Sequence, residues 1–444
     1  MSDDTFTIRA FADSLREGRV SCAEIADACL GRIREVDGEV AAWAFLDPDH
    51  VLEQARRADA ARQEGQPLGP LHGVPVGVKD IIDTADMPTE DGTALHAGRR
   101  PRRDATVVSL LRQAGVVILG KTVTTELALY HPGKTRNPHD PTRTPGGSSS
   151  GSAAAVAAGM VPVALGTQTN GSVIRPAAYC GVVGFKPTHG RISRAGILHL
   201  SDALDQVGVF ATSIEDAAAV AEAIMAYDPQ DADTRPTARP DLVRTALEEP
   251  PLPPRLAFVK SPVWEQAEAD TRDAFAELVA VLGDRVAEVP LPDVFDRAIE
   301  QHRTIMEADV AVSLAPEYER GKDRLSGALR AVIERGGKVV AGDYIRAKAR
   351  IPLLNRAVED FYDSFDAILT PATTGEAPAD LGTTGSPVFC TIWTLLGAPA
   401  VTLPLLQGTN GLPLGVQLVG KRGDDARLLR TARWLSERVL NPED

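Results

Sequence analysis

The sequence is short of positive charge, of closely spaced cysteines and of long apolar runs, and each shortage closes off a class of function. Across 444 residues, 47 Lys and Arg stand against 61 Asp and Glu, a formal charge of −14. Such a chain lacks the basic face that draws phosphate backbones or anionic lipid, so no nucleic-acid or membrane partner is expected. The four cysteines, Cys22, Cys29, Cys180 and Cys390, form no CxxC pair and no Cys/His cluster at zinc spacing. They read as buried thiols in a reducing compartment, with no metal. The longest stretch of small apolar residues, 153–166, is broken by Gly159 and Pro162 and falls short of the ~20 residues of a membrane helix. The opening Met1-Ser-Asp-Asp-Thr5 has neither the basic nor the apolar part of a secretory signal. A cytoplasmic protein is expected.

What is present is a turn-rich folded chain, with 38 Gly, 32 Pro and 43% hydrophobic residues. Residues 7–64 carry apolar positions at three- and four-residue spacing, with Ser21 as N-cap, and predict two or three helices. The run 71–78 predicts a strand that ends at Lys79-Asp80. Residues 104–120 predict a helix followed by a buried strand over 116–119. A Pro- and Gly-rich loop over 131–147 leads into Gly146-Gly-Ser-Ser-Ser-Gly-Ser152 and a helix of small residues, and a long irregular loop inside a compact fold is usually functional. A strand over 161–165 precedes Gly166-Thr-Gln-Thr-Asn-Gly-Ser172. Residues 228–255 read as a surface connection and 265–363 as helical, with strands at 367–369, 400–403 and 414–419. Strands alternating with helices at both ends indicate an α/β layer fold.

Two motifs match well-known chemistry by letter and fail by context. Gly115-Val-Val-Ile-Leu-Gly-Lys121-Thr122 fits a phosphate-binding loop, but such a loop is a flexible turn between strand and helix, and Val116 to Leu119 is itself a strand. Gly147-Ser-Ser149-Ser-Gly151 fits a nucleophile elbow, which must follow a strand directly. A Thr-Arg-Thr-Pro loop precedes it here, and none of the eight histidines stands in a partner motif.

Three segments together resemble the amidase signature family: Val76-Gly-Val-Lys79-Asp80; Gly146-Gly-Ser148-Ser-Ser-Gly-Ser-Ala-Ala-Ala-Val-Ala-Ala-Gly159; and Thr167-Gln-Thr-Asn-Gly-Ser172-Val-Ile-Arg175-Pro. Supporting text at Gly184-Phe-Lys-Pro-Thr-His-Gly190, Leu204-Asp-Gln-Val-Gly208 and Gly397-Ala-Pro-Ala400 extends the resemblance to both ends of the chain. It implies a central mixed β-sheet covered by helices on both faces, in one domain over 1–444; the segment 228–350 is the least family-like and is expected to be a variable, mainly helical, cap-like insertion. It also implies a Ser-Ser-Lys triad: Ser172 as nucleophile, Ser148 as bridging hydroxyl in a cis Gly147–Ser148 peptide, and Lys79 as base. Backbone amides of Thr169, Asn170, Gly171 and Ser172 would form the oxyanion hole. The family more often has Asp-Thr-Gly-Gly-Ser where this chain has Gln168-Thr-Asn-Gly-Ser172. Asn tolerates a positive φ, so Asn170 is expected to keep the turn's shape.

The residue types suit the reaction. A serine hydroxyl attacks an amide only if a base takes its proton, and a lysine can be that base only when neutral, its pKa lowered from about 10.4 by burial. Lys79, directly after an apolar run, is placed for burial. Arg175 is either a fork for a substrate carboxylate or a structural arginine on the helix after the turn. Tyr130, Ile174 and Trp393 are candidate pocket residues, with a core role equally open, and Asp80 and Asp205 are supporting hydrogen-bond partners. The implied activity is cleavage of carbonyl C–N bonds in small amides, extending to anilides, carbamates (urethanes) and esters, through an acyl-serine. No cofactor is implied. The expected partner is a small-molecule amide or carbamate substrate, with a homodimer left open. The alternative is an amidotransferase A-type subunit that releases ammonia from glutamine.

Overall fold

The computed structural model describes residues 6–440. Eleven strands form one mixed sheet: β1 Trp43–Leu46, β2 Pro75–Lys79, β3 Val117–Thr122, β4 Val163–Gln168, β5 Val183–Lys186, β6 Gln206–Ala211, β7 Leu256–Phe258, β8 Val286–Glu288, β9 Ala367–Pro371, β10 Ala400–Gln407 and β11 Pro413–Val419. Their order is β1-β3-β2-β4-β6-β5-β10-β11-β9-β7-β8. β3, β2 and β4 run parallel, as do β9, β7 and β8, while the strands between these groups pair antiparallel.

Both faces of the sheet are covered, which explains why its strands read as continuous apolar runs and not as alternating ones. Within β3, Val117 and Leu119 pack into the core under the N-terminal helices, and Ile118 packs into the larger core on the opposite face. The N-terminal helices are Ile8–Arg16, Cys22–Val40 and Pro48–Gln63. Ser21 caps the second in a reciprocal box with Glu24, as its position predicts. The helix Ser150–Ala157 lies fully in this core. A Cβ on its Gly151 would stand 2.3 Å from Ala42 O and Val123 N, so only glycine lets the helix approach the sheet this closely.

The helical expectation over 265–363 holds in the main, through Ala269–Leu282, Ala298–Ser313, Ala315–Gly321, Gly327–Gly336 and Ala341–Glu359. The segment 228–350 is not wholly outside the sheet, however. β7 and β8 lie within it and extend the sheet beyond β9, and a short helix, Leu242–Leu247, interrupts the expected surface connection. Three residues of strand leave too little pattern to distinguish from loop. All four cysteines are buried thiols. Among the described residues, no helix is long and apolar enough to cross a membrane.

Candidate active site

β2 and β4 are neighbouring parallel strands, so their carboxyl ends open at the same edge, where sites in parallel sheets form. Lys79 is the last residue of β2 and is fully buried. Its Nζ lies 2.7 Å from Ser148 Oγ and 2.8 Å from Thr167 Oγ1, near the end of β4. Burial pushes the Lys79 pKa well below its usual value, and the buried Asp205 carboxylate opposes this weakly.

Two other lysines are as deeply buried, and their partners differ in kind. Lys121 donates to Ile82 O and Thr89 Oγ1, both at 2.6 Å, with Asp80 3.7 Å away. It braces the 82–89 loop from within β3, which confirms the strand reading of the apparent phosphate loop. Lys186 donates to Gln206 Oε1, Pro187 O and Ala398 O. Carbonyls and carboxylates only accept hydrogen bonds, so they hold a lysine as a donor. Hydroxyls both donate and accept, so the partners of Lys79 suit a neutral amine as well as an ammonium.

Ser148 sits between the long loop and the helix 150–157, and the Gly147–Ser148 peptide is cis. Its neighbour Ser149 points elsewhere: its hydroxyl donates to Thr167 O and accepts from Thr167 N, both at 3.2 Å. That stitch to β4 gives Ser149 a structural place and removes it as an elbow nucleophile.

Ser172 stands half-buried just before the helix Ile174–Cys180. Arg175 ties its segment to that of Ser148, since its backbone N donates to Gly171 O at 2.9 Å and its Nη2 to Gly147 O at 2.5 Å. Among the described residues the Ser172 hydroxyl has no hydrogen-bond partner, so Lys79 and Ser148 are in contact while Ser148 and Ser172 are not hydrogen-bonded. Catalytic hydrogen bonds often tighten only around substrate.

The turn 169–172 is held from several sides. Thr169 Oγ1 donates to Asp205 Oδ1 at 2.6 Å, and His302 Nε2 lies 2.9 Å from Thr169 O. Thr391 Oγ1 donates to Asn170 Oδ1 at 2.7 Å, and Thr394 Oγ1 to Asn170 O at 2.5 Å. The Gln168 side chain accepts from Val173 N and Ile174 N, capping the next helix. Asn170 does not use the positive φ that Asn tolerates; its side chain is tethered to Thr391. Gly171 is required by space, because a Cβ there would stand 2.9 Å from Pro387 Cβ. Among the described residues, the N–H groups of Asn170, Gly171 and Ser172 have no protein acceptor.

Ile174 and Trp393 lie in the apolar core and present no surface to a substrate. Tyr130 is 36% exposed and lies beside the Asn170 side chain. Buried Arg175 keeps Nε and Nη1 without partners. A family profile described as Amidase matches residues 24–429. The chain belongs to the amidase family.

Among proteins similar to this chain is the A-type chain of the glutamyl-tRNA(Gln) amidotransferase of Chloroflexus aurantiacus, 35% identical over 96% of this chain and 94% of that one. The structure of the peptide amidase of Stenotrophomonas maltophilia superposes with a TM-score of 0.86 at 29% identity, covering 98% of this chain and 97% of that one. The 6-aminohexanoate cyclic dimer hydrolase gives 0.85 at 26% identity, covering 98% and 96%. The central mixed sheet with helices on both faces is thus the fold of amidase signature enzymes.

The sequence reading missed Thr167, His302, Thr391 and Thr394 as neighbours of the site. Thr167 carries a faint signal, since it stands in the motif two residues before the turn. The other three lie in helices whose text has no motif.

Proposed function

We propose that this amidase hydrolyses carbonyl C–N bonds of small amides through an acyl-Ser172 intermediate, with Lys79 as base and Ser148 as relay. The observation that carries this reading is that both hydrogen-bond partners of Lys79 among the described residues are hydroxyls. As a neutral amine, Lys79 donates one N–H to Thr167 Oγ1 and accepts from the Ser148 hydroxyl. Ser148 can then take the proton of Ser172 as it gives its own to Lys79. Ser172 Oγ adds to the carbonyl carbon, and the negative charge settles on the former carbonyl oxygen, facing the unpartnered amides of 170–172. Preorganised donors at such a site are worth about 3–4 kcal/mol each. On collapse the C–N bond breaks, and the proton returns through Ser148 to the leaving nitrogen. Water then repeats the sequence on the ester, releasing acid and restoring Ser172.

The same machinery extends to anilides, carbamates and esters, because each presents a carbonyl to the nucleophile. Helices of the segment 228–350 form the cap over this site in our reading, since His302 reaches the Thr169 carbonyl from one of them. Tyr130 is placed at the rim to meet substrate, with Arg175 behind the turn. A second reading is an amidotransferase component that frees ammonia from glutamine, favoured by the relatives of that name. Incubating the purified chain with a panel of amides, anilides, carbamates, esters and glutamine separates the two. Turnover of small amides by the isolated chain, with glutamine a poor substrate, is expected. Glutamine hydrolysis alone would favour the second reading.

A further inference from the structure

We infer that His302 and Thr394 are positioning residues that aim the oxyanion-stabilising amides of the 169–172 turn. The inference rests on Ser172 being the nucleophile. In a planar trans peptide, the C=O of one residue and the N–H of the next point in opposite directions. Fixing the carbonyl therefore aims the amide that follows it.

Three successive carbonyls of this turn are fixed, each by a different helix. Thr169 O faces His302 Nε2 at 2.9 Å, from Ala298–Ser313. Asn170 O accepts from the Thr394 hydroxyl at 2.5 Å, from Val388–Leu395. Gly171 O accepts from Arg175 N at 2.9 Å, within the first turn of Ile174–Cys180. The amides on the far side of these three planes belong to Asn170, Gly171 and Ser172, and among the described residues none of the three has a protein acceptor. The carbonyls are taken up by surrounding helices, which turns the three N–H groups the opposite way in each peptide plane.

His302 suits this role. It is 1% exposed, and because a carbonyl can only accept, Nε2 carries the proton in this contact. Burial lowers the imidazole pKa to about 4, so the same tautomer persists through the neutral range. Thr394 is coupled to the helix cap as well, since its hydroxyl accepts from Gln168 Nε2 at 2.9 Å. Through His302, a residue of the variable segment sets the orientation of the reacting centre.

The test is the kinetics of Ser172 modification by a fluorophosphonate, whose phosphoryl oxygen occupies the place of the oxyanion. For His302→Leu and for Thr394→Val, the maximal labelling rate kinact should fall about 10- to 100-fold, less than the 10²–10³-fold seen when an oxyanion donor is removed outright. The half-saturating concentration KI should stay within about threefold, since ground-state binding needs the aimed amides least. His302→Gln and Thr394→Ser, which keep a donor, should recover most of the rate. Unchanged kinact in both deletion variants, with the wild type labelled at Ser172, would overturn this inference alone. Loss of kinact without rescue by Gln and Ser would also overturn it. Wild-type protein that is never labelled at Ser172 would overturn the reading beneath it. If His302→Leu does not fold, the Thr394 pair decides.

Discussion

Lys79 Nζ lies 2.7 Å from Ser148 Oγ, and its only other partner among the described residues is a second hydroxyl, Thr167 Oγ1. Neither contact compels the amine to be charged. In a fully buried place that is the condition for a lysine to act as a base, because desolvation disfavours the ammonium far more than the amine.

Replacing Lys79 with Met should abolish turnover and change stability little at neutral pH, because relief of the buried charge offsets the loss of the lysine partner of Ser148 Oγ and Thr167 Oγ1. The folded pKa of Lys79 is lowered, so between that value and about 10.4 the unfolded chain binds the extra proton. Wild-type stability therefore rises with pH across this window, and below it the buried charge is a full penalty. Methionine removes the penalty and fills similar volume. Thermal unfolding at neutral pH checks this, and a fall in Tm of many degrees would show that Lys79 is held as a stabilising cation.

Thr167→Val should move the acidic limb of the pH–rate profile downward. Thr167 Oγ1 accepts from Lys79 Nζ, a bond that favours the ammonium more than the amine. Without it the Lys79 pKa drops further, and activity, which rises as Lys79 loses its proton, appears at lower pH. A limb that stays in place would assign it to another group.

The adjacent serines should separate by orders of magnitude. Ser148→Ala removes the proposed relay and should cost about 10²–10⁴ in kcat, the range of a positioned proton-transfer group. Ser149→Ala removes only the stitch to Thr167, which should cost about 1–2 kcal/mol of stability and less than about tenfold in rate. Urea unfolding alongside steady-state rates measures both.

Lys121→Met should behave oppositely to Lys79→Met. It removes the cation beside buried Asp80 and leaves Ile82 O and Thr89 Oγ1 with only their long 3.5 Å contact to each other, and should cost about 2–4 kcal/mol, since each poorly paired buried group costs about 1–3. Activity per folded molecule should be retained. A variant as stable as wild type would remove the structural role assigned to this lysine.

How plainly the chain declares these features differs by residue. Lys79, Ser148 and the 169–172 turn stand in dense motif text, and β2, β4 and β10 announce themselves as apolar runs bounded by Gly or Pro. β5 and β6 lie inside motif text that hides their strand character, and β1, β7 and β8 are too short for periodicity to show. His302 and Thr394 reach the turn through one or two contacts made by helices distant in sequence, and nothing local distinguishes them from ordinary core residues. The role of Asn170 is hidden for a related reason: conformational tolerance says what a residue can do, while its contacts with Thr391 and Thr394, over 200 residues away, tether its side chain and carbonyl.

The most direct measurement is the rate of Ser172 labelling by a fluorophosphonate as a function of pH, read by mass spectrometry in the wild type and in Lys79→Met. The wild-type rate should rise with pH as a single ionisation completed well below pH 10, and the variant should lose both the labelling and its pH dependence. Labelling at Ser172 that proceeds at the wild-type rate without Lys79 would contradict the assignment of this lysine as the base.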